Sequence, residues 1–382
     1  MGVEKPLSKQ IYEYIKKNIE RGVYNNCRLP TETELAEQFY VSRITTKAAM
    51  KLLADEGLIV RIRGKGSFVN DYSALSPFKK NGDVNNKIVP TIALIMGGYT
   101  SAFGLDVLNG AIQESQQNKF HLILCRTDNS QRQETEIVSS LISSGVKGII
   151  IQPVLGETYS KDLVEAIYSG FPIVMLDRHM EGIGSYFVGV DNYKLSRYAV
   201  EKLIEYGHKN IALFALSDER SSTIKERMDG FKDACLDHHI MVDKDLWLSD
   251  INSLFDHPPE LLDSKKIFGK YVNRIEKHLL KHPNITAIFG TEYQVSKAAW
   301  EALRNIGKSI PEEVSLVSFD IDSSYVGSHT MSYIKQPQYD MGKKSVDLLI
   351  KIINGDKIKY PSVILDGEWI DGGTIARINQ FN

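Results

Sequence analysis

The chain has 382 residues, 42% hydrophobic and 25% charged, which suits two or three folded domains and excludes a small cross-linked scaffold or a wholly disordered chain. Its three cysteines show no close spacing and the amino terminus has no apolar leader, so reduced thiols in the cytoplasm are expected. The net charge of −2 conceals an imbalance, because residues 1–70 carry twelve Lys or Arg against eight Asp or Glu and the remainder is acidic.

In chain order, residues 7–20 place Ile11, Tyr14, Ile15 and Ile19 on one helical stripe. Thr31, after Pro30, starts a second helix that runs to Phe39, and Ser42 starts a third. On a helical wheel, Ile44, Thr45, Ala48, Ala49, Leu52 and Leu53 form one sector of that third helix, the expected buried face. Arg43, Thr46, Lys47, Met50 and Lys51 fall opposite, where a major groove would take cationic and hydroxyl donors. Glu56-Gly57 stops the helix. Leu58–Arg63 then alternates like a strand, Gly64-Lys65-Gly66 makes a turn, and Ser67–Val69 returns. The pattern is a helix, a helix-turn-helix and a basic two-stranded wing.

The stretches Leu29–Ala36, Val41–Ala48, Glu56–Ile59 and Gly64–Val69 resemble the winged helix-turn-helix of GntR-type regulators across nearly all of residues 5–70. The resemblance implies that Arg43 and the basic residue four positions later, Lys47, contact DNA, with Gly64 and Gly66 at the wing tip. Lys5, Thr33, Ser42, Thr46 and Lys65 complete the expected contact set for double-stranded operator DNA. Lys47 stands where arginine is commoner and Thr33 where a DNA-contacting arginine often sits, so a lysine point contact replaces a bidentate fork.

Residues 71–90 are polar, rich in Asn, Gly and Ser, and without period, which reads as a linker between domains at 1–70 and 91–382. From Thr91 onward, short apolar runs alternate with amphipathic stretches. The strands are expected at Thr91–Met96, His121–Cys125, Gly148–Ile151, Ile173–Leu176, Ile211–Leu216, Ala287–Gly290 and Val314–Phe319. Helices are expected between them. This order implies βαβ crossovers and an α/β body of two parallel sheets in two lobes. No apolar run approaches the roughly 20 residues of a membrane helix.

Ligands of open α/β sheets bind beyond the carboxyl ends of the strands. Asp177 and Arg178 follow Ile173–Leu176, Glu292 follows Ala287–Gly290, and Asp320 follows Val314–Phe319. The body resembles the type I periplasmic-binding-protein domain of LacI-type repressors over about 290 residues, through stretches such as Pro172–Arg178, Arg227–Phe231, Ile310–Asp320 and Ile334–Pro337. A GntR-type head on such a body is the layout of the arabinose-repressor group.

That resemblance implies effector contacts from Asp177, Arg178, Arg227, Glu292, Asp320 and Gln336. Phe103 is placed to stack on a sugar ring or to join the core. Three carboxylates and two guanidiniums suit a neutral polyol better than an anion. The expected function is a sugar-responsive repressor, a homodimer on a palindromic operator, released by a neutral carbohydrate such as a pentose. The alternative is a sugar-modifying enzyme or a carbohydrate-binding protein with an inactive head. No catalytic residues, cofactor or metal are expected: the chain lacks a phosphate loop, a nucleophile elbow and a His-Glu-x-x-His motif, and His278 and His282 have no evident third ligand.

Overall fold

In a computed structural model, residues 6–20, 23–24, 28–62, 65–69, 89–154, 159–216, 221–251, 264–322 and 331–378 are described. Contacts divide the chain into Met1–Lys87 and Ile88–Asn382. The expected linker at 71–90 lies almost wholly outside the described residues.

The amino-terminal unit comprises α1 (Leu7–Glu20), α2 (Glu32–Phe39), α3 (Arg43–Asp55), β1 (Ile59–Ile62) and β2 (Gly66–Val69). Thr31 and Glu34 form a reciprocal capping box, with the Glu34 N–H donating to Thr31 Oγ1 and the Thr31 N–H to Glu34 Oε2, at 3.2 and 2.7 Å. These bonds satisfy amide groups that the helix itself leaves over, which is why α2 begins there. The antiparallel wing pairs Ile59 with Val69 and Ile62 with Gly66. Ile11, Ile15, Leu35, Ala49, Met50, Leu53 and Ile59 close the core between helices and wing.

The larger unit has two lobes, each built on a six-stranded sheet. Lobe I contains β3 (Thr91–Met96), β4 (His121–Arg126), β5 (Ile149–Ile151), β6 (Ile173–Leu176), β7 (Tyr186–Val190) and β13 (Ser362–Leu365), in the spatial order β13-β7-β6-β5-β3-β4. Its helices are α4 (Leu105–Gln117), α5 (Gln131–Ser143), α6 (Lys161–Tyr168) and α11 (Gln338–Ile353). Lobe II contains β8 (Ile211–Leu216), β9 (Leu248–Ile251), β10 (Ala287–Gly290), β11 (Ser315–Phe319), β12 (Ser332–Lys335) and β14 (Glu368–Ile370), in the order β14-β12-β11-β10-β8-β9. Its helices are α7 (Asn192–Glu205), α8 (Ser222–Asp237), α9 (Ser264–Lys281) and α10 (Tyr293–Asn305).

Nearly all pairings are parallel, and the central strands β5, β6, β10 and β11 are buried throughout, as continuous apolar runs require. The exception is β14, which runs antiparallel to β12. The chain crosses between lobes after β7, after β12 and after β13. Glycines let α4 and α11 touch backbone to backbone: a Cβ on Gly110 would collide with the Tyr339 carbonyl, and one on Gly342 with that of Val107. This contact fixes the helix that follows the second crossover against lobe I.

Candidate functional site

Helix α3 turns a different face outward from the one its hydrophobicity suggests. Thr46, Ala49, Met50 and Leu53 are its buried residues, spaced three and four apart. Thr46 is fully buried, and its hydroxyl donates to the Glu32 and Arg43 carbonyls at 2.9 and 3.1 Å. It therefore joins α3 to α2 and is withdrawn from the expected DNA contacts. Met50 is buried as well, whereas Ile44, Ala48 and Leu52 are exposed.

Arg43, Lys47, Lys51 and Lys65 are exposed, as are Thr33 and Ser42. Ser42 accepts the Thr45 N–H at 3.3 Å and so starts α3. Gly66 opens β2 at φ 115°, a backbone conformation that favours glycine. Lys5 and Gly64 lie outside the described residues.

In lobe I, Asp177 follows β6 in a left-handed turn at φ 65°, and its N–H donates to the Val188 carbonyl at 2.9 Å. Gln152, just past β5, donates through Nε2 to Asp177 Oδ2 at 2.7 Å and accepts the Gly97 N–H at 3.3 Å. The Arg178 Nε lies 3.8 Å from the same carboxylate oxygen, and its Nη1 donates to the Pro153 carbonyl at 3.5 Å. Behind this group Glu134, from the first turn of α5, accepts the Val154 N–H at 2.7 Å. Burial pushes the Glu134 carboxyl up to about 7, against the pull of that hydrogen bond and of Arg178.

In lobe II, Asp320 follows β11 in the same left-handed conformation at φ 53°, and its N–H donates to the Ile334 carbonyl at 2.8 Å. Gln336, at the second crossover, donates to both carboxylate oxygens, from its N–H at 3.0 Å and its Nε2 at 2.6 Å. Burial nevertheless pushes Asp320 up to about 6, the Gln336 bonds and the Arg227 charge opposing it.

Arg227, 4% exposed on α8, donates from Nε to Asn192 Oδ1 at 2.8 Å and from Nη1 to the Thr291 carbonyl at 2.7 Å. Its guanidinium lies 3.9 Å from the centre of the Phe319 ring. Burial lowers its pKa, and the carboxylates of Asp177, Glu292, Asp320 and Glu226 raise it. The structure therefore gathers Arg227, Asp177, Glu292 and Asp320 into one electrostatic group, with Arg178 and Gln336 attached through the two aspartates. Glu292 is half-buried at the start of α10. Phe103 packs against the lobe I core.

The sequence reading did not single out Gln152, Asn192, Gln338 or Glu134. Gln338 accepts the Gly104 N–H at 3.0 Å and donates to the Ala102 carbonyl at 2.7 Å, tying the loop around Phe103 to the second crossover. Arg178 Nε, Thr291 Oγ1 and Gln336 Oε1 are among the buried atoms that have no hydrogen-bond partner among the described residues. On the flank of the cleft the lobes also touch directly: the His179 N–H donates to Ser222 Oγ at 3.2 Å, and Lys225 pairs with Glu181 at 2.7 Å. Among the described residues, no helix is long and apolar enough to cross a membrane.

Residues 7–69 match the family of bacterial regulatory proteins called gntR, and residues 200–375 match the periplasmic binding protein-like domain. A probable HTH-type transcriptional regulator, EndR of Paenibacillus polymyxa, is 29% identical over 69% of this chain and 73% of its own length. An arabinose metabolism transcriptional repressor of Geobacillus stearothermophilus is 24% identical over 88% of this chain and 90% of its own. Among solved structures, a LacI family transcriptional regulator from Enterococcus faecium with bound ribose has a TM-score of 0.62 at 23% identity, covering 76% of this chain and all of its own. This chain joins a gntR-family helix-turn-helix domain to a periplasmic-binding-protein-like body, and so has the architecture of the LacI-type regulators.

Proposed function

We propose that the chain is a sugar-responsive transcriptional repressor that binds a palindromic operator as a homodimer and is released by a neutral carbohydrate such as a pentose. The observation that carries this reading is the cleft around Arg227, whose guanidinium is already engaged by Asn192 and Thr291 and surrounded by carboxylates. A ligand phosphate or carboxylate would meet that negative ring. A polyol hydroxyl can donate to Asp177 or Asp320 and accept from an arginine N–H at once. Arg178 Nε, Thr291 Oγ1 and Gln336 Oε1, which make no hydrogen bond among the described residues, supply a further donor, a hydroxyl and an acceptor for the same chemistry. The relative named for arabinose metabolism and the similar structure with bound ribose are in keeping with a pentose-sized ligand.

In this reading residues 1–70 grip DNA through Ser42, Arg43, Lys47, Lys65 and Thr33, with Lys5 and Gly64 adjoining, and Gly66 shapes the wing. Residues 71–90 link that head to the effector and dimerisation domain at 91–382. The partner places the protein in the cytoplasm, and the carboxylates bind hydroxyls without cutting a bond. Effector binding favours a closed arrangement of the lobes that alters the spacing of the two heads. A ligand shifts such an equilibrium only through its differential affinity for the two states. The sugar must then bind free protein more tightly than operator-bound protein, by the factor with which it weakens DNA binding.

The test is a thermal-shift panel of pentoses, hexoses and their phosphates on the full-length protein, followed by operator titrations with and without the ligand found. A neutral sugar at 100-fold its dissociation constant adds about 2.7 kcal/mol of stability. Equal sugar affinity in free and DNA-bound protein would discard the mechanism, and selective binding of a sugar phosphate would discard the ligand class.

A further inference from the structure

The outward face of α3 contains more than cations. Its buried residues Thr46, Ala49, Met50 and Leu53 define one side of the helix. At ~100° per residue, Ile44 lies almost diametrically opposite their mean direction. Ile44 is 81% exposed, and Ala48, one turn later on the same line, is exposed too. Arg43, Lys47 and Lys51 lie to one side of this pair, and exposed Leu52 lies to the other. Folding of the amino-terminal unit gains almost nothing from an isoleucine left in water, and a β-branched residue is no help to the first turn of a helix.

A face with an apolar strip flanked on one side by a cationic strip matches one kind of surface within a duplex. The major groove has phosphates along its rims, and the 5-methyl of thymine is an apolar group displayed on its floor. We infer that Ile44, seconded by Ala48, selects thymine in the operator by covering its 5-methyl group. This inference rests on the operator-binding reading above and adds a residue that determines sequence preference. It also assigns the helix two modes of readout: cations and Ser42 set position on the backbone or reach guanine edges, while Ile44 reports a methyl group.

The test uses duplexes selected from a random pool by the full-length protein. Each thymine of a half-site is replaced in turn by deoxyuridine, which removes only the methyl, and affinity is read by fluorescence anisotropy at fixed ionic strength. Wild-type protein loses about fourfold in affinity at one or two positions per half-site, the factor that burial of one methyl supplies. In the homodimer Ile44→Ala alters both half-site contacts, so it binds the thymine duplex about sixteenfold more weakly and no longer distinguishes deoxyuridine at those positions. Arg43→Ala binds more weakly still but keeps the distinction.

Tight binding of the selected duplexes with indifference to every deoxyuridine overturns the inference and leaves operator binding standing, as does full discrimination by Ile44→Ala. Failure to select any duplex overturns both. Because Ile44 is exposed, the alanine variant keeps the wild-type melting curve, which separates lost readout from lost folding.

Discussion

The two lobes solve the same geometric problem with different electrostatics. Asp177 in lobe I and Asp320 in lobe II each follow the fourth strand from one sheet edge, each adopt a left-handed turn, and each donate an N–H to the next strand. Each carboxylate also receives a glutamine amide, Gln152 for Asp177 and Gln336 for Asp320. The supports nevertheless come from opposite directions. Gln152 belongs to the strand end before Asp177 and sits wholly within lobe I, whereas Gln336 belongs to the crossover after Asp320. Asp177 has Arg178 beside it at 3.8 Å, whereas the cation acting on Asp320 is Arg227 from α8. Lobe I thus holds its aspartate as a rigid feature of one sheet, while lobe II couples its aspartate to a segment that must bend if the lobes move.

Removing the charge that both aspartates share should break this arrangement most. Arg227→Met leaves Asp320 without its cation and deprives Asn192 and the Thr291 carbonyl of their donor. Breaking a buried, paired charge costs about 3–5 kcal/mol, so urea midpoints should fall steeply and the sugar response should vanish. If the variant keeps wild-type stability and effector response, Arg227 does not unite the two lobes.

Protonation separates the lobes next. Asp320 is raised from 3.8 to about 6, so between these values the folded state binds the extra proton. Stability therefore falls as pH rises through that window, and the cost is fully present above the folded value. Asp320→Asn removes this dependence: between pH 4 and pH 7 wild type should lose about 2.4 kcal/mol relative to the variant. In lobe I the corresponding titration belongs to Glu134, raised from 4.5 to about 7, one layer behind Arg178. Glu134→Gln should show the same sign over a window one unit higher. Sugar affinity should also fall below about pH 6 as Asp320 gains its proton, because a carboxylic acid accepts fewer hydroxyl bonds. Urea titrations of the three proteins across pH 4–8 measure the stability changes and sugar titrations over the same range the affinity, and identical pH profiles would contradict the assignment.

Much of this arrangement was legible in the sequence, and the residues that were not share a physical cause. Thr31 and Glu34 declare a helix start through local bonds, and the apolar runs before Asp177 and Asp320 declare buried parallel strands. Gln152, Asn192 and Gln338 carry no such signal, since their partners lie 25, 35 and 236 residues away in sequence. The α3 wheel misled because it ranked residues by polarity. A threonine becomes a core residue once its hydroxyl finds the Glu32 carbonyl, and small Ala48, which suits a helix crossing, is exposed. The edge strands β13 and β14 are short and half-exposed, so their exchange between lobes leaves little periodicity to read.

The smallest expected effect sharpens the contrast between a support inside one lobe and a support at a crossover. Gln152→Leu removes the donor to Asp177 and the acceptor of the Gly97 N–H, both buried, at a cost of about 1–3 kcal/mol. Because both partners belong to lobe I, any loss of sugar affinity through Asp177 should be the same in free and operator-bound protein, and the DNA response per bound sugar should be unchanged. Gln336→Leu removes comparable bonding from Asp320, but at a segment joining the lobes. Its cost should therefore differ between the free and sugar-bound states, shifting the coupling between sugar and operator as well as the affinity. A double-mutant cycle read by sugar-dependent operator release distinguishes the two. Equal effects of both variants on coupling would mean that the crossover position of Gln336 has no bearing on the switch.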